Sequence, residues 1–168
     1  ESARNLGLII DRQLSWSANI NVISKRIHYS LHSLKRLQNF LPIRTKIILA
    51  QSLLLPLLDY ADVCYPDANE EALDKLDRLQ NMCIRFIFGL RKFDHVSDFR
   101  RQLNWLPVRL RRNLHILTLL FNILKSSSPP YLRERFQLTL PSERPVRSCV
   151  TQRKLEYPIC NTSFYEKS

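Results

Sequence analysis

Glycine is nearly missing from this chain: Gly7 and Gly89 are the only two in 168 residues. Tight hairpin turns draw heavily on glycine, so a hairpin-rich fold is disfavoured and helices are favoured. Paired cysteines are missing as well. Cys64, Cys83, Cys149 and Cys160 lie far apart with no C-x-x-C pair, and Cys83 falls on an apolar helical face. They read as reduced thiols of an intracellular protein, nuclear or cytoplasmic, rather than as a disulfide framework or a zinc site. No charged, apolar and small-residue leader follows Glu1, so a secretory signal is not expected in this stretch. The longest apolar runs, near 47–58 and 114–124, fall short of the roughly 20 residues a membrane span needs. No membrane partner is expected.

What the chain does have is leucine, prolines placed where helices would begin, and positive charge. A hydrophobic content of 45% over this length fits one domain with a real core, or one domain plus a tail. The net charge of +11 and a pI near 9.9 produce a field that attracts polyanions. Nucleic acid is the first candidate, with an anionic membrane or an acidic protein behind it. Charge alone does not choose among them.

Taken in order, residues 5–10 (NLGLII) read as one short strand, with Gly7 where another backbone approaches and Asp11-Arg12-Gln13 as a turn. The rest of the sequence offers that strand no convincing partner, which suggests that something precedes residue 1. A helix is expected over 17–40, its stripe formed by Ile20, Ile23, Ile27, Leu31, Leu34, Gln38 and Leu41. Lys25, His28, His32, Lys35 and nearby Arg36 form a basic stripe away from it. His28 and His32 have the i, i+4 spacing of a metal pair, but no third ligand is close. A solvated basic face or a nucleic-acid-facing stripe accounts for them better. Pro42 suits the first position of the next helix, 43–58, which Pro56 should kink or end.

Tyr60-Ala61-Asp62-Val63 departs from the aromatic-Ala-Asp-Asp metal tetrad of reverse transcriptases at its last position, and it follows a helix instead of sitting in a hairpin. A helix end and turn is the better reading. Asn69, followed by Glu70 and Glu71, is a strong start for a helix to Phe88, with Gly89 as its left-handed cap. Ser97 opens a short helix to about 103, and Pro107 opens a long one to about 125. This last helix is apolar over most of its circumference and is expected to be the most buried, with His115 on its narrow polar strip. One more helical turn is expected over 131–136. Residues 137–168 read as an irregular basic segment.

The densest chemistry lies in 73–112. Leu73, Leu76, Leu79, Cys83, Ile87 and Leu90 recur at helical spacing, with Lys75, Arg78 and Arg85 on the far side. Arg100, Arg101, Arg109, Arg111 and Arg112 then surround a Trp105-Leu106-Pro107 corner, with no acidic residue between Arg100 and Arg112. Such a cluster stays charged and hydrated unless an anion neutralises it. Trp105 reads as a core anchor rather than a base-stacking platform.

Together these residues resemble the region that follows the polymerase palm in reverse transcriptases of non-LTR (LINE, jockey-like) retrotransposons. The resemblance begins with Arg4-Asn5-Leu6-Gly7-Leu8, Asp11, Leu14-Ser15-Trp16 and Ile20. It continues with Leu37, Leu41-Pro42, Leu55-Pro56, Asp59-Tyr60, Leu79-Gln80-Asn81, Arg85 and Gly89, then Leu106-Pro107 with Arg111-Arg112. Arg144 to Arg147, Pro158 and Tyr165-Glu166-Lys167-Ser168 extend it nearly to the end. Each motif is short, and their order and spacing carry the similarity.

The resemblance implies a mainly α, thumb-like helical bundle. It would have the end of the palm and its primer-grip strand at 1–16, a helical thumb and connection region at 17–136 and the basic segment at 137–168. It implies a parent RNA-directed DNA polymerase that uses Mg²⁺, while this stretch lacks the catalytic palm aspartates and needs no cofactor of its own. The partners implied are RNA and DNA as a template-primer hybrid, and the palm of the same polyprotein. Phosphate contacts are expected from Lys25, Lys35, Arg36, Arg78, Arg85, Arg91, Lys92, Arg100, Arg101, Arg109, Arg111 and Arg112. The competing reading is a structural or protein-interaction helical module, or a decayed transposon remnant, whose charge does not serve nucleic-acid binding.

Overall fold

The computed structural model describes residues 2–136, and these are mainly α-helical. Strands β1 (Ser2–Asn5) and β2 (Leu8–Asp11) lead into α1 (Ser17–Lys35), α2 (Ile43–Leu49), a π-helical stretch (Ala50–Leu54) and α3 (Leu55–Asp59). A 3-10 turn (Asp62–Cys64) then precedes α4 (Glu70–Phe88), α5 (Ser97–Gln102), α6 (Val108–Ser126) and α7 (Pro130–Arg133). The chain divides into two compact units, Glu1–His115 and Ile116–Ser168, and α6 carries the backbone from one into the other. The expected basic segment at 137–168 lies outside the described residues.

The single orphan strand is corrected to a hairpin. β1 and β2 pair antiparallel with Asn5 opposite Leu8 and Ser2 opposite Asp11, so the partner lies immediately upstream. Leu6 and Gly7 form the two-residue turn at φ 46° and 88°. Left-handed backbone at a leucine is costly, and leucine is not a turn residue, so Gly7 is half of the usual two-residue signal. The Tyr60 hydroxyl compensates by donating to the Leu6 carbonyl at 2.5 Å. After β2, the Asp11 carboxylate accepts the Ser15 and Trp16 N–H groups, each at 3.0 Å, and turns the chain into α1. Hydrogen bonding from Ser15, followed by that from Trp16, holds the Asp11 carboxyl below its usual range.

α1 and α4 pack together around the core of the first unit. The stripe read from the sequence is the buried one in α1: Ile20, Ile23, Ile27 and Leu31 are all inside. The helix stops at Lys35 instead of reaching 40. From there Leu37, Gln38 and Phe40 donate three residues back, to Leu34, Lys35 and Leu37. Those tighter turns leave Phe40 at the surface and bring Gln38 round beside Gly89.

α4 is the most buried helix: Leu76, Leu79, Gln80, Cys83, Ile84, Phe86 and Ile87 all lie in the core. Its ends are built as the sequence predicts. Asn69 Oδ1 accepts the Ala72 N–H at 2.9 Å, and Gly89 closes the helix at φ 68°. Burial pushes the Cys83 thiol up to about 12, which makes it an unreactive core group, while Cys64 is an exposed free thiol.

Pro56 does not end the helical run, which continues as α3 to Asp59, and the irregularity near it is the π-helical stretch Ala50–Leu54. The π-helical stretch just before it widens the ladder, the Leu55 N–H reaching the Ala50 carbonyl, and this makes room for a residue that has no N–H of its own. The helical run Ile43–Cys64 is long and apolar enough to cross a membrane by length and composition, unlike the shorter apolar runs counted in sequence. Ala50, Leu54, Leu55 and Leu58 from this run are buried in the core.

α6 departs from its expected burial. Leu110, Leu114, Leu117, Leu119 and Phe121 are each between 43% and 62% exposed, whereas Val108, Arg112 and Ile123 are buried. An apolar circumference makes a helix able to be covered on every side, but coverage requires neighbours, and on these positions the described residues provide little. The final short helix is also displaced, to Pro130–Arg133.

Candidate nucleic-acid interface

Helical spacing places Arg78, Asn81, Met82 and Arg85 on one face of α4, at i, i+3, i+4 and i+7. That face forms one wall of a groove of about 710 Å³. Lys35 and Gln38 approach from the end of α1, and Phe86, Leu90 and Lys92 complete the lining. Four of the residues expected to hold phosphate, Lys35, Arg78, Arg85 and Lys92, thus meet in space although they span 58 positions of sequence. No carboxylate is among the lining residues, and none of the four forms an ion pair among the described residues. Arg85 is anchored by donating from Nη2 to the Asp94 carbonyl at 3.2 Å, while its buried Nε has no partner among the described residues. Four like charges held round one groove make it locally electropositive.

The remaining expected residues are dispersed. Lys25, on α1, and Arg36, just past its end, are exposed but do not line the groove. Arg91 is exposed, and its backbone N–H donates to Asp94 Oδ2 at 2.7 Å. Arg101 is exposed and pairs with Asp98 at 3.3 Å. Arg100 is half-buried and donates to Asn81 Oδ1 at 2.5 Å, which fixes the amide of a groove residue.

Arg109, Arg111 and Arg112 have a different environment. Arg109 Nη1 lies 2.5 Å from Glu70, its Nη2 2.8 Å from Asp74 and its Nε 3.6 Å from Asp77. The hydrogen bonds it donates to Glu70 and then Asp74 raise its affinity for the proton further. Arg111 forks onto Asp59, with Nε and Nη2 each 2.6 Å from a carboxylate oxygen, and that bonding likewise raises its pKa. Arg112 is only 4% exposed; it donates to the Asp62 and Tyr65 carbonyls and stacks 4.6 Å over the Tyr65 ring. Burial pushes its guanidinium below the ordinary value and the Tyr65 phenol up to about 12. The anion that neutralises this basic run is the protein itself. Asp77 also accepts the Val108 N–H at 3.2 Å, so α4 caps the start of α6. Trp105, at 7% exposure, sits in the core as an anchor.

Asp62 is buried within the fold, its Oδ2 2.6 Å from His115 Nδ1. Asp59, Asp62 and His115 offer ligand atoms within 4.8 Å of one another, the spacing of a metal group. Both Asp59 oxygens already accept from Arg111, and Asp62 Oδ2 meets His115, so a divalent ion here would compete with a guanidinium for the same carboxylate. An imidazole in the set also suits Mg²⁺ poorly, since that ion takes oxygen ligands. As they stand, these residues form a structural network that ties the 3-10 turn to the start of α6.

Gln38, Asn81, Met82 and Leu90 were not legible as groove residues. Gln38 and Leu90 fall within apolar stripes, and Asn81 and Met82 carry no charge to attract notice. The signal available for the last two was their place three and four residues after Arg78. No protein-family model, curated protein or solved structure matches this chain.

Proposed function

We propose that this chain binds an RNA–DNA hybrid through phosphate contacts, as the non-catalytic thumb and connection part of a non-LTR retrotransposon reverse transcriptase. The observation that carries the reading is the carboxylate-free groove in which Lys35, Arg78, Arg85 and Lys92 converge. The ordered motifs from Arg4 to Arg112 supply the polymerase context, and the net charge of +11 supplies the long-range attraction. Lys25, Arg36 and Arg91 extend the basic surface; Arg109, Arg111 and Arg112 hold the fold that presents it. The palm of the same polyprotein is the proposed covalent partner, and Mg²⁺ chemistry belongs to that palm.

Phosphate neutralisation makes affinity fall as salt rises, by close to one unit of log–log slope per contact. Binding of the chain to an RNA–DNA hybrid is therefore expected to show a slope of about 3 to 4 if the four groove cations act. Reversing them together (K35E, R78E, R85E, K92E) should weaken binding by at least about 100-fold while the helical CD spectrum persists. A slope near zero, or equal retention of both proteins on a filter, would sink the proposal.

The exposed leucines and Phe121 of α6 favour a second reading, a protein-interaction module. Under it, hybrid binding is absent and substitutions of Leu114 or Leu117 alter association with a protein partner instead.

A further inference from the structure

Phosphate recognition needs only cations on an accessible surface. The groove between the end of α1 and α4 offers more than that: Met82, Phe86 and Leu90 make part of its lining apolar, and Gln38 and Asn81 add two amides. Its volume of about 710 Å³ falls among small-molecule sites, roughly 300–1,000 Å³. A duplex presents ridges of phosphate and keeps its base faces stacked inside, so it would leave such apolar room unfilled. Bare phosphate would be poorly served by apolar walls, which strip its water without replacing the hydrogen bonds.

An unpaired base has the complementary chemistry. Its faces are apolar and polarisable, suiting Met82, Leu90 and the planar guanidiniums of Arg78 and Arg85. Its edge carries donors and acceptors, suiting the two amides. Arg100 already occupies Asn81 Oδ1, which leaves the Asn81 N–H₂ to donate.

We infer that this groove seats an unpaired nucleobase of a single-stranded extension, with the flanking phosphates on Lys35, Arg78, Arg85 and Lys92. The inference rests on the phosphate-binding reading above and names the form of nucleic acid that the same site prefers. Arg100 is a positioning residue, acting through Asn81. Because the Gln38 amide can serve either donor or acceptor edges and stacking accepts any ring, little base selectivity is expected.

Fluorescence anisotropy with the full 168-residue chain tests this with three probes at constant salt. They are a blunt RNA–DNA hybrid, the same hybrid with a four-nucleotide single-stranded extension, and that extension made abasic. The extension is expected to tighten binding about tenfold, and removing its bases should abolish most of that gain although the phosphates remain. Gln38→Ala and Met82→Ala should each shrink the ratio of extended to blunt affinity; Gln38→Ala, outside the core, keeps the test valid if Met82→Ala disturbs folding. Equal affinity for the intact and abasic extensions would overturn the inference and leave phosphate binding standing. Absent binding of all three probes would overturn both.

Discussion

The groove beside α4 and the corner at the start of α6 are built from the same residue types and differ in what faces them. At the corner, Arg109 meets Glu70, Asp74 and Asp77 and Arg111 meets Asp59, so two arginines stand against four carboxylates, while Arg112 is held by the Asp62 and Tyr65 backbone carbonyls. Around the groove, Lys35, Arg78, Arg85 and Lys92 meet no carboxylate among the described residues. A dense run of arginine in sequence thus becomes a neutralised corner, while four scattered cations become an electropositive feature. Local charge density in a chain measures the field only when its partners are also local; here those partners lie some 30 to 50 residues away, at Asp59, Asp62 and the first turns of α4.

The comparison breaks most visibly at Arg112. Replacing it with alanine leaves the Asp62 and Tyr65 carbonyls without their donor, and should destabilise the fold by about 3 kcal/mol. Thermal unfolding is the measurement, and a Tm unchanged to within a degree would show that the corner is not structural. The four-fold charge reversal in the groove should do the opposite, abolishing hybrid binding with little change in Tm. A loss of stability from those substitutions would erase the distinction between the two regions.

A smaller effect is expected at the Arg111–Asp59 fork, where each single alanine variant should cost about 1–3 kcal/mol. A double-mutant cycle should show that the two losses are not additive; additive losses would mean the pair does not interact. Arg78→Ala alone should lower the salt slope of hybrid binding by about one unit, and Arg109→Ala should leave that slope unchanged. If the two variants behave alike, the assignment of roles by ion pairing is wrong.

The smallest effect concerns Asp11. Its carboxyl titrates below the usual value because the folded state binds the charged form through Ser15 and Trp16. Its contribution is therefore complete above the unfolded value of 3.8 and is lost as pH falls through the lower folded value. Asp11→Asn should lower Tm slightly at neutral pH, and the gap between variant and parent should close in strong acid. A gap that persists there would assign the effect to packing.

Helix α4 could be read almost to the residue, because its signals are local: Asn69 as cap, Gly89 as stop and a stripe of 3.6 spacing between them. The hairpin could not, because its turn uses Leu6 where Asn or Gly is expected, and a hydroxyl 54 residues away secures it. The burial of α6 was misjudged for a related reason. Its apolar circumference, with Leu110, Leu114 and Leu117, shows what the helix is able to bury, whereas exposure depends on whether another element arrives.

The sequence by itself determined the mainly helical class, the caps of α4, the core faces of α1 and α4 and the excess of positive charge. These follow from backbone propensity, spacing and composition, which act within a few turns of helix. Only the tertiary structure decided which of those charges remain uncompensated. That depends on Coulomb and hydrogen-bond partners brought within a few ångströms by packing, as Asp59 is to Arg111 and as no carboxylate among the described residues is to Arg78.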